Sequence, residues 1–240
     1  DNYLNAKKKF FDMLPSSAFA LYNADDKAGA VMVQNTKAAK YSYSLRTEAD
    51  FKTKILETRL DGTSLMLNNK EIEVLFTGKF NAYNLTAVYG AAILTGFNPE
   101  EVLVNMSRLI PVSGRFQTIH SPSGFTAIVD YAHTPDGLEN VLRSVRDFCK
   151  GRIISVFGCG GDRDPIKRPI MGEIGVRLSD LAVITSDNPR TEDPMAIISD
   201  IEKGAAAVGK SYKVIENRIK AIHYAMDIAE KDDIIVLAGK

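Results

Sequence analysis

The chain has 240 residues, of which 45% are hydrophobic and 25% are charged, a composition typical of a soluble globular protein with one or two domains. Thirty Lys and Arg balance thirty Asp and Glu, which gives no support for a nucleic-acid-binding surface or a polybasic membrane-binding surface. No apolar run approaches the roughly 18 residues of a membrane-spanning helix. The first residues show neither Met nor a signal-peptide pattern, so we expect a piece of a longer chain. Two cysteines, Cys149 and Cys159, show no metal-ligand spacing and are too few for a disulfide scaffold, so we expect a cytoplasmic protein.

Short elements of mixed type are predicted for the first part of the chain. A helix over residues 4–14 precedes Pro15, and an apolar strand covers residues 18–22. Alternating apolar and polar residues predict four more strands, over residues 40–45, 53–60, 64–67 and 71–77. Asp61-Gly62 and Asn68-Asn69 stand where hairpin turns would connect these strands. Helices follow over residues 81–94 and 99–109, the second capped by Asn98.

A change of composition at residues 111–115 predicts the start of a second domain. Strands over residues 116–120 and 126–130 precede the clearest helix of the chain, residues 135–148, which Thr134 can cap. Strands and helices then alternate as strand 152–157, helix 168–178, strand 181–185, helix 194–203, strand 211–215, helix 217–230 and strand 233–238. This alternation predicts a doubly wound α/β domain. We therefore divide the chain into residues 1–109 and 110–240.

Two glycine-rich segments come close to nucleotide-binding motifs. Gly158-Cys159-Gly160 follows a predicted strand, but Arg163 stands where a dinucleotide fingerprint needs its third glycine. Residues 204–211 satisfy the phosphate-loop pattern letter for letter. A predicted helix precedes them and a strand follows, the reverse of the order that turns helix N–H groups toward phosphates. We interpret this segment as a helix C-terminus with Gly209 as its cap.

Arg163 and Arg190 each follow a short, apolar, β-branched run, which predicts two buried strands of a parallel sheet. Ligands of such sheets bind outside the carboxyl ends of the strands. Two guanidinium groups on neighbouring loops of that edge indicate a ligand with carboxylate or phosphate groups, which the planar fork binds bidentately. Two solvated surface arginines are the alternative, and spacing alone does not decide between them.

Five more polar residues stand where a ligand could contact them. Asp130 and His133 lie at a strand-to-helix junction, where N–H groups of the first helical turn attract anions; capping of the turn and a solvated histidine are the alternatives. Asn81 and Asn84 are three residues apart and so share one helix face, for which solvent exposure is a sufficient reason. Arg115 stands at the predicted domain boundary, as a ligand contact or as a solvated linker residue.

Five segments in order resemble the Mur ligases of bacterial cell-wall synthesis, and together they span nearly the whole chain. They are G-K-F-N-A-Y-N-L-T-A-V (78–88), S-G-R-F (113–116), D-Y-A-H-T-P (130–135), G-C-G-G-D-R-D-x-x-K-R-P (158–169) and D-N-P-R (187–190). The resemblance implies an α/β chain that contains the later part of a central ATPase domain. A Rossmann-like C-terminal ligase domain, truncated at its end, would follow.

The resemblance also implies an ADP-forming acid–amino-acid ligase that uses ATP and Mg²⁺. ATP would phosphorylate the glutamyl carboxylate of UDP-N-acetylmuramoyl-L-alanyl-D-glutamate, and the amino group of meso-diaminopimelate would attack the acyl phosphate. The positions that match the family's nucleotide-binding residues are Asn81, Asn84, Arg115, Asp130 and His133. Those that match the pocket for the added amino acid are Arg163, Asp187, Asn188, Pro189 and Arg190.

The D-N-P-R form is found in family members that add meso-diaminopimelate, whereas lysine-adding relatives usually lack its arginine. Y-L-N-A-K (3–7) resembles the segment with the family's carbamylated lysine, which helps to hold magnesium. Lys7 is the matching position, although Lys8 and Lys9 leave the register open by a residue or two. A plain surface lysine is the alternative.

Several expectations follow from the resemblance. The family's phosphate loop and UDP-sugar-binding domain would lie before Asp1, and its G-K-G-H-E segment would begin at Gly239-Lys240, so we expect the chain alone to be inactive. We expect a monomer that binds the UDP-N-acetylmuramoyl dipeptide and meso-diaminopimelate, with no nucleic-acid or membrane partner. A lysine-adding relative, a folylpolyglutamate-type ligase and a non-catalytic domain that binds a dicarboxylic ligand are the alternatives.

Overall fold

The structure, a computed structural model, describes residues 2–239. These divide into two compact units, unit 1 up to Ile110 and unit 2 from Pro111. None of the helices in the described residues has the length and apolar character needed to cross a membrane. Lys240, the second residue of the expected G-K-G-H-E segment, lies outside the described residues.

Unit 1 combines one sheet with four helices. Its elements are α1 (Asn2–Asp12), β1 (Phe19–Asn23), α2 (Gly29–Met32), β2 (Ala39–Ser44), β3 (Phe51–Arg59), β4 (Gly62–Leu67), β5 (Lys70–Val74), α3 (Lys79–Leu94) and α4 (Pro99–Ser107). The strands lie in chain order, with β1, β2 and β3 parallel and β3, β4 and β5 antiparallel. Leu85 and Tyr89 of α3 pack against Phe51 and Leu65 in the core of this unit.

The hairpin turns of unit 1 follow the sequence prediction closely. Leu67 pairs with Lys70, so Asn68 and Asn69 form a two-residue turn with φ angles of 42° and 64°. Such a turn needs left-handed backbone at both positions, which Asn tolerates better than most residues. The turn between β3 and β4 lies one residue earlier than predicted, because Gly62 already pairs with Arg59 in the sheet.

Asp25 fixes the loop that follows β2. Its carboxylate accepts hydrogen bonds from the backbone N–H groups of Leu45 (2.8 Å) and Arg46 (3.0 Å), from the Ser44 hydroxyl (2.9 Å), and from the Tyr83 hydroxyl of α3 (2.8 Å). Burial by itself would raise the pKa of Asp25, but hydrogen bonds from Leu45, Tyr83 and Ser44 hold this pKa well below its usual value. The ionised form of Asp25 therefore stabilises unit 1.

We expect Asp25→Asn to lower the free energy of unfolding by about 1.5–3 kcal/mol at pH 7, the value of a hydrogen bond to a charged group. Because the pKa of Asp25 is lower in the folded state, its contribution is present above the unfolded pKa near 4 and is lost as the pH falls through the folded pKa. The difference between wild type and variant in urea unfolding should therefore shrink as the pH is lowered below 4. Asp26→Asn, at the exposed neighbouring position, is the control, and a difference independent of pH would contradict this account.

Unit 2 has a six-stranded sheet with the order β10-β9-β8-β11-β7-β6. Its elements are β6 (Gln117–His120), β7 (Thr126–Asp130), α5 (Pro135–Arg146), β8 (Ile153–Phe157), α6 (Lys167–Leu178), β9 (Leu181–Ile184), α7 (Pro194–Ala207), β10 (Tyr212–Val214), α8 (Arg218–Ile228) and β11 (Ile234–Ala238). All neighbouring strands are parallel except β6, which pairs antiparallel with β7. The predicted α/β fold is confirmed.

Helices cover both faces of this sheet. Every residue of β8 is buried, and successive side chains of a strand point to opposite faces. Ile154 and Val156 pack with Ala221 of α8, whereas the Phe157 ring meets Gly175 of α6 on the other face. This double burial explains why β8, β9 and β11 are nearly continuous apolar runs rather than alternating ones.

Helices α6 and α7 pack backbone against backbone at two glycines. A Cβ atom on Gly172 would lie 2.0 Å from the Ile201 carbonyl oxygen, and one on Gly204 would lie 1.8 Å from the Pro169 carbonyl oxygen. Past the end of α7, Gly209 has a φ of 74°, the left-handed conformation of a helix C-cap. Residues 204–211 are therefore a helix C-terminus that leads into β10, as predicted, and Gly204 is a packing residue.

Candidate functional site

A cavity of about 340 Å³ lies at the carboxyl edge of the unit 2 sheet. The loops after β7, β8 and β9 line it together with the start of α5. The lining residues are Tyr131, His133, Thr134, Gly160, Arg163, Asp164, Lys167, Asp187, Asn188 and Arg190. Ligands of open parallel sheets bind at this edge, so the cavity is the candidate site of unit 2.

The loops after β8 and β9 contact each other through their backbones. The Gly161 N–H donates to the Asn188 carbonyl at 3.1 Å, and the Arg190 guanidinium donates to the Gly161 carbonyl. A Cβ atom on Gly161 would lie 1.9 Å from the Pro189 carbonyl oxygen. Only glycine at this position lets the two loops approach so closely, and the contact holds Arg190 at the wall of the cavity.

Three residues without the freedom of glycine adopt left-handed backbone in these loops. The φ angles are 51° for Asp162, 44° for Asn188 and 53° for Arg190, and each such residue costs roughly 1–2 kcal/mol. Side-chain bonds hold this geometry: the Thr191 hydroxyl and the Asp162 carboxylate are 2.6 Å apart, and the Asp162 N–H donates to Glu192 at 2.6 Å. The loops are therefore preorganised by their own contacts.

Arg168, which belongs to the K-R-P segment, supports the two loops from behind. Its side chain is buried and donates to Glu192 at 2.8 and 2.9 Å and to Asp200 at 3.0 Å. Hydrogen bonds from Arg168 and from the Asp162 N–H lower the pKa of Glu192 below its usual value. Arg168 could not be assigned a role from the sequence, because its partners lie 24 and 32 residues away in the chain.

The cavity carries more positive than negative charge. Arg163, Lys167 and Arg190 line it with the acidic residues Asp164 and Asp187. The N-terminus of α5 adds the positive end of the helix dipole, although Pro135 has no N–H and the Gly137 N–H donates to the Thr134 hydroxyl. This arrangement suits a ligand that carries carboxylate or phosphate groups.

Flat side chains form a row beside the cavity. The Arg115 guanidinium lies 4.8 Å from the centre of the Tyr131 ring, and the centres of the Tyr131 and His133 rings are 5.0 Å apart. His133 Nδ1 lies 3.0 Å from the Tyr131 carbonyl, and Lys167 donates to the His133 carbonyl at 2.9 Å. Exposed aromatic and guanidinium faces of this kind can stack on a nucleobase or another planar group.

Asp130 is engaged with the backbone. One carboxylate oxygen accepts from the Phe116 N–H and the other from the Ala132 N–H, both at 2.8 Å. Burial raises the pKa of Asp130 above its usual value, although these two hydrogen bonds and the charge of Arg115 act in the opposite direction. This is the turn-capping arrangement that the sequence analysis left open, and a ligand contact for Asp130 stays a prediction.

The two predicted nucleotide-binding asparagines lie in unit 1. Asn81 and Asn84 share a face in the first turns of α3, with Asn84 Nδ2 3.5 Å from Asn81 Oδ1. Asn81 also donates to the Thr77 carbonyl at 2.8 Å. Asn84 is exposed and Asn81 is half-buried, so this face leaves the amide of Asn84 accessible to a ligand.

Lys7 projects from α1 into solvent, with its amine 5.4 Å from the centre of the Tyr3 ring. Lys8, by contrast, is buried and forms an ion pair with Asp12 at 2.6 Å. Within residues 2–239, no group of three or more His, Cys, Asp or Glu could hold a metal ion.

The cavity brings together five of the predicted site residues. These five were expected to contact two different ligands. His133, expected at a nucleotide, lines the same space as Arg163, Asp187, Asn188 and Arg190, which were expected at an amino acid. Other residues of the lining were given no role: Tyr131, Gly160, Asp164 and Lys167. Their position within the D-Y-A-H-T-P and G-C-G-G-D-R-D-x-x-K-R-P segments could have identified them as site residues.

Comparison with known proteins identifies the family. Residues 114–240 match the family model of the Mur ligase glutamate ligase domain, and residues 1–92 match that of the Mur ligase middle domain. The UDP-N-acetylmuramoyl-L-alanyl-D-glutamate--2,6-diaminopimelate ligase of Parabacteroides distasonis is 57% identical over 243 residues, covering 100% of this chain and 50% of its own length.

Solved structures give the same result. A UDP-N-acetylmuramoyl-L-alanyl-D-glutamate--2,6-diaminopimelate ligase is 34% identical with a TM-score of 0.61, covering 99% of this chain and 50% of its own. MurF from Acinetobacter baumannii, 16% identical with a TM-score of 0.79 and coverage of 100% and 52%, shares the fold. The chain spans about half the length of the curated relatives it matches. With both of its units matched by models of one family, the chain belongs to the Mur ligases.

Proposed function

We propose that the chain is part of an ADP-forming ligase that joins meso-diaminopimelate to UDP-N-acetylmuramoyl-L-alanyl-D-glutamate in peptidoglycan synthesis. The observation that carries this proposal is the D-N-P-R turn, whose Arg190 lies with Arg163 and Lys167 in one cationic cavity. A dicarboxylic amino acid offers such a cavity two anionic groups. The name of the Parabacteroides distasonis relative, which is 57% identical to this chain, supports the same substrate.

The chemistry of such a ligase begins with transfer of the γ-phosphoryl group of ATP to the glutamyl carboxylate. The amino group of the acceptor then attacks the acyl carbon, and the carbon–oxygen bond to phosphate breaks, which yields an amide, ADP and phosphate. Arg163 and Arg190 would bind the carboxylates of the acceptor, and the preorganised loops would orient its amino group. Holding both reactants in the reacting geometry contributes a large part of the rate enhancement in such reactions.

We infer that Asn81 and Asn84 contact a nucleotide base. Arg115, Asp130 and His133 are also proposed as nucleotide contacts. The row of Arg115, Tyr131 and His133 supports this assignment because it presents planar faces and positive charge. Lys7 is the proposed carbamylated lysine, since it projects into solvent whereas Lys8 is paired with Asp12. Magnesium, when bound, would neutralise phosphate charge.

The domain division, the cellular location and the oligomeric state are also proposals. A division at residues 1–109 and 110–240 is supported by the compact units on either side of Ile110. Two free thiols, Cys149 and Cys159, suit a reducing cytoplasm. The monomeric state stays a prediction.

The alternatives differ in the ligand or the reaction that they expect. A lysine-adding relative would leave its guanidinium without the second carboxylate that it would otherwise bind. A folylpolyglutamate-type ligase would add glutamate to a folate instead of acting on a UDP-sugar peptide. A non-catalytic module would bind a dicarboxylic ligand in the cavity and release no phosphate.

Phosphate release by the full-length ligase that contains these residues tests the proposal. The assay uses ATP, Mg²⁺ and the UDP-N-acetylmuramoyl dipeptide, with meso-diaminopimelate or L-lysine as acceptor. We expect release with meso-diaminopimelate and little with lysine. A preference for lysine would contradict the role of Arg190 while leaving the ligase activity, and no release with either acceptor would favour the folate-type or the non-catalytic alternative.

A further inference from the structure

Arg218 is a cation behind the cavity, at the start of α8. Asn217 caps this helix by accepting from the Lys220 N–H at 3.0 Å, so Arg218 occupies the first helical position. Positive charge at a helix N-terminus is unfavourable, because the helix dipole is positive there. The Nη1 atom of Arg218 is also buried and has no hydrogen-bond partner among the residues from Asn2 to Gly239. An arginine so placed needs an anionic neighbour.

Asp187, the first residue of the D-N-P-R turn, is the nearby anion. It is 5% exposed, and a Cβ atom on Gly239 would lie within 4 Å of both side chains. Burial lowers the pKa of Arg218, and the charge of Asp187 acts against this shift. The Arg218 Nη2 atom donates to the carbonyl of Ala238 at 3.0 Å, the last residue of β11. Arg218 thus joins the turn after β9 to the end of β11.

Gly239 shows how closely these groups are packed. Its φ is 100°, and its N–H donates to the Asp130 carbonyl at 3.0 Å. A Cβ atom on Gly239 would lie 2.4 Å from Asp187 Oδ2 and 3.8 Å from Arg218 Nη2. The ends of β7 and β11, the turn after β9 and the start of α8 therefore meet at one point, directly behind the cavity wall.

We propose that Arg218 is a positioning residue. By bonding the Ala238 carbonyl and placing its charge near Asp187, it fixes the turn from Asp187 to Arg190 in the conformation that receives the carboxylate of the acceptor amino acid. This inference rests on the proposed function. Asn188 and Arg190 have left-handed backbone, so the turn has conformations of lower local energy to which it would relax without its anchor. Arg218 does not line the cavity and acts only through Asp187 and β11.

The test compares Arg218→Met and Arg218→Lys in the full-length ligase, with initial rates measured against meso-diaminopimelate and against ATP. We expect Arg218→Met to raise KM for meso-diaminopimelate about tenfold, the effect of losing one charge-assisted contact, and to leave KM for ATP within about twofold. Arg218→Lys should restore part of the affinity, because it keeps the charge but not the planar fork. Lys220→Met, an exposed position of the same helix, should change neither KM.

Three outcomes would overturn the inference. If the wild type is active and Arg218→Met leaves KM for meso-diaminopimelate unchanged, this inference is overturned while the proposed function stands. An equal rise in KM for meso-diaminopimelate and in KM for ATP would have the same meaning. A wild type without any phosphate release that depends on meso-diaminopimelate would overturn the proposed function, and this inference with it. If Arg218→Met does not fold, Arg218→Lys is the deciding variant, with a selective rise in KM for meso-diaminopimelate of about threefold expected.

Discussion

Replacing Arg190 with methionine is expected to reduce the proposed preference of the full-length ligase for meso-diaminopimelate over L-lysine about 10- to 100-fold, as measured by kcat/KM for the two acceptors. The two amino acids differ by one carboxylate, and a hydrogen bond between charged groups is worth about 1.5–3 kcal/mol. Arg190 is held at the cavity wall by its bond to the Gly161 carbonyl, so its position does not depend on the ligand. The kcat/KM for L-lysine, which lacks the second carboxylate, should fall little.

Two further variants separate recognition of the carboxylate from support of the loop. Arg190→Lys keeps the positive charge and should give an intermediate preference, since it loses the bidentate geometry. Arg177→Met removes an exposed arginine of α6 that pairs with Glu173 and does not line the cavity, and it should leave both acceptors unaffected. Equal losses with meso-diaminopimelate and lysine in Arg190→Met would show that Arg190 maintains the loop instead of binding the substrate.

Gly204→Ala is expected to destabilise unit 2 by about 3 kcal/mol, the upper part of the range for overpacking. Alanine normally stabilises a helix relative to glycine by about 1 kcal/mol, so the expected sign is the reverse of helix propensity. The new methyl group would lie 1.8 Å from the Pro169 carbonyl oxygen. A backbone atom cannot move aside as a flexible side chain can, so α6 and α7 would have to separate.

Urea unfolding of wild type and variant measures this effect. Ser199→Ala, at an exposed position of the same helix, is the matched control and should be neutral or stabilising by about 0.5 kcal/mol. A Gly204→Ala protein as stable as wild type would mean that the contact between α6 and α7 tolerates a methyl group, and that Gly204 is not required for packing.

Elements with strong local signals were predicted from sequence to within a few residues. Asn98 accepts from the N–H groups of Glu100 and Glu101, and Thr134 accepts from that of Gly137, so both helix starts have the caps that their sequences indicate. The single turn of α2 (Gly29–Met32) was not predicted. Four residues are too few to show a helical period, and Ala28, its N-cap residue, makes no side-chain cap bond.

The candidate site could be predicted in part. Arg163 and Arg190 were expected on neighbouring loops because each follows an apolar strand, and the carboxyl ends of parallel strands share one edge. Arg168 and Arg218 could not be found in this way. Their effect depends on partners brought close only by the tertiary fold, namely Glu192 and Asp187, and no local pattern marks a buried guanidinium.

The position of β11 has a consequence for synthesis of the chain. β11 follows every other strand of its sheet in sequence, yet it pairs with β7 on one side and β8 on the other. Until residues 234–238 leave the ribosome, β7 and β8 each have an unpaired edge, and unpaired strand edges favour association with other chains. At about 5–20 residues per second, the interval between β8 and β11 lasts several seconds. The nascent chain thus passes through a stage in which two strand edges of unit 2 are unpaired, and the arrival of β11 covers both.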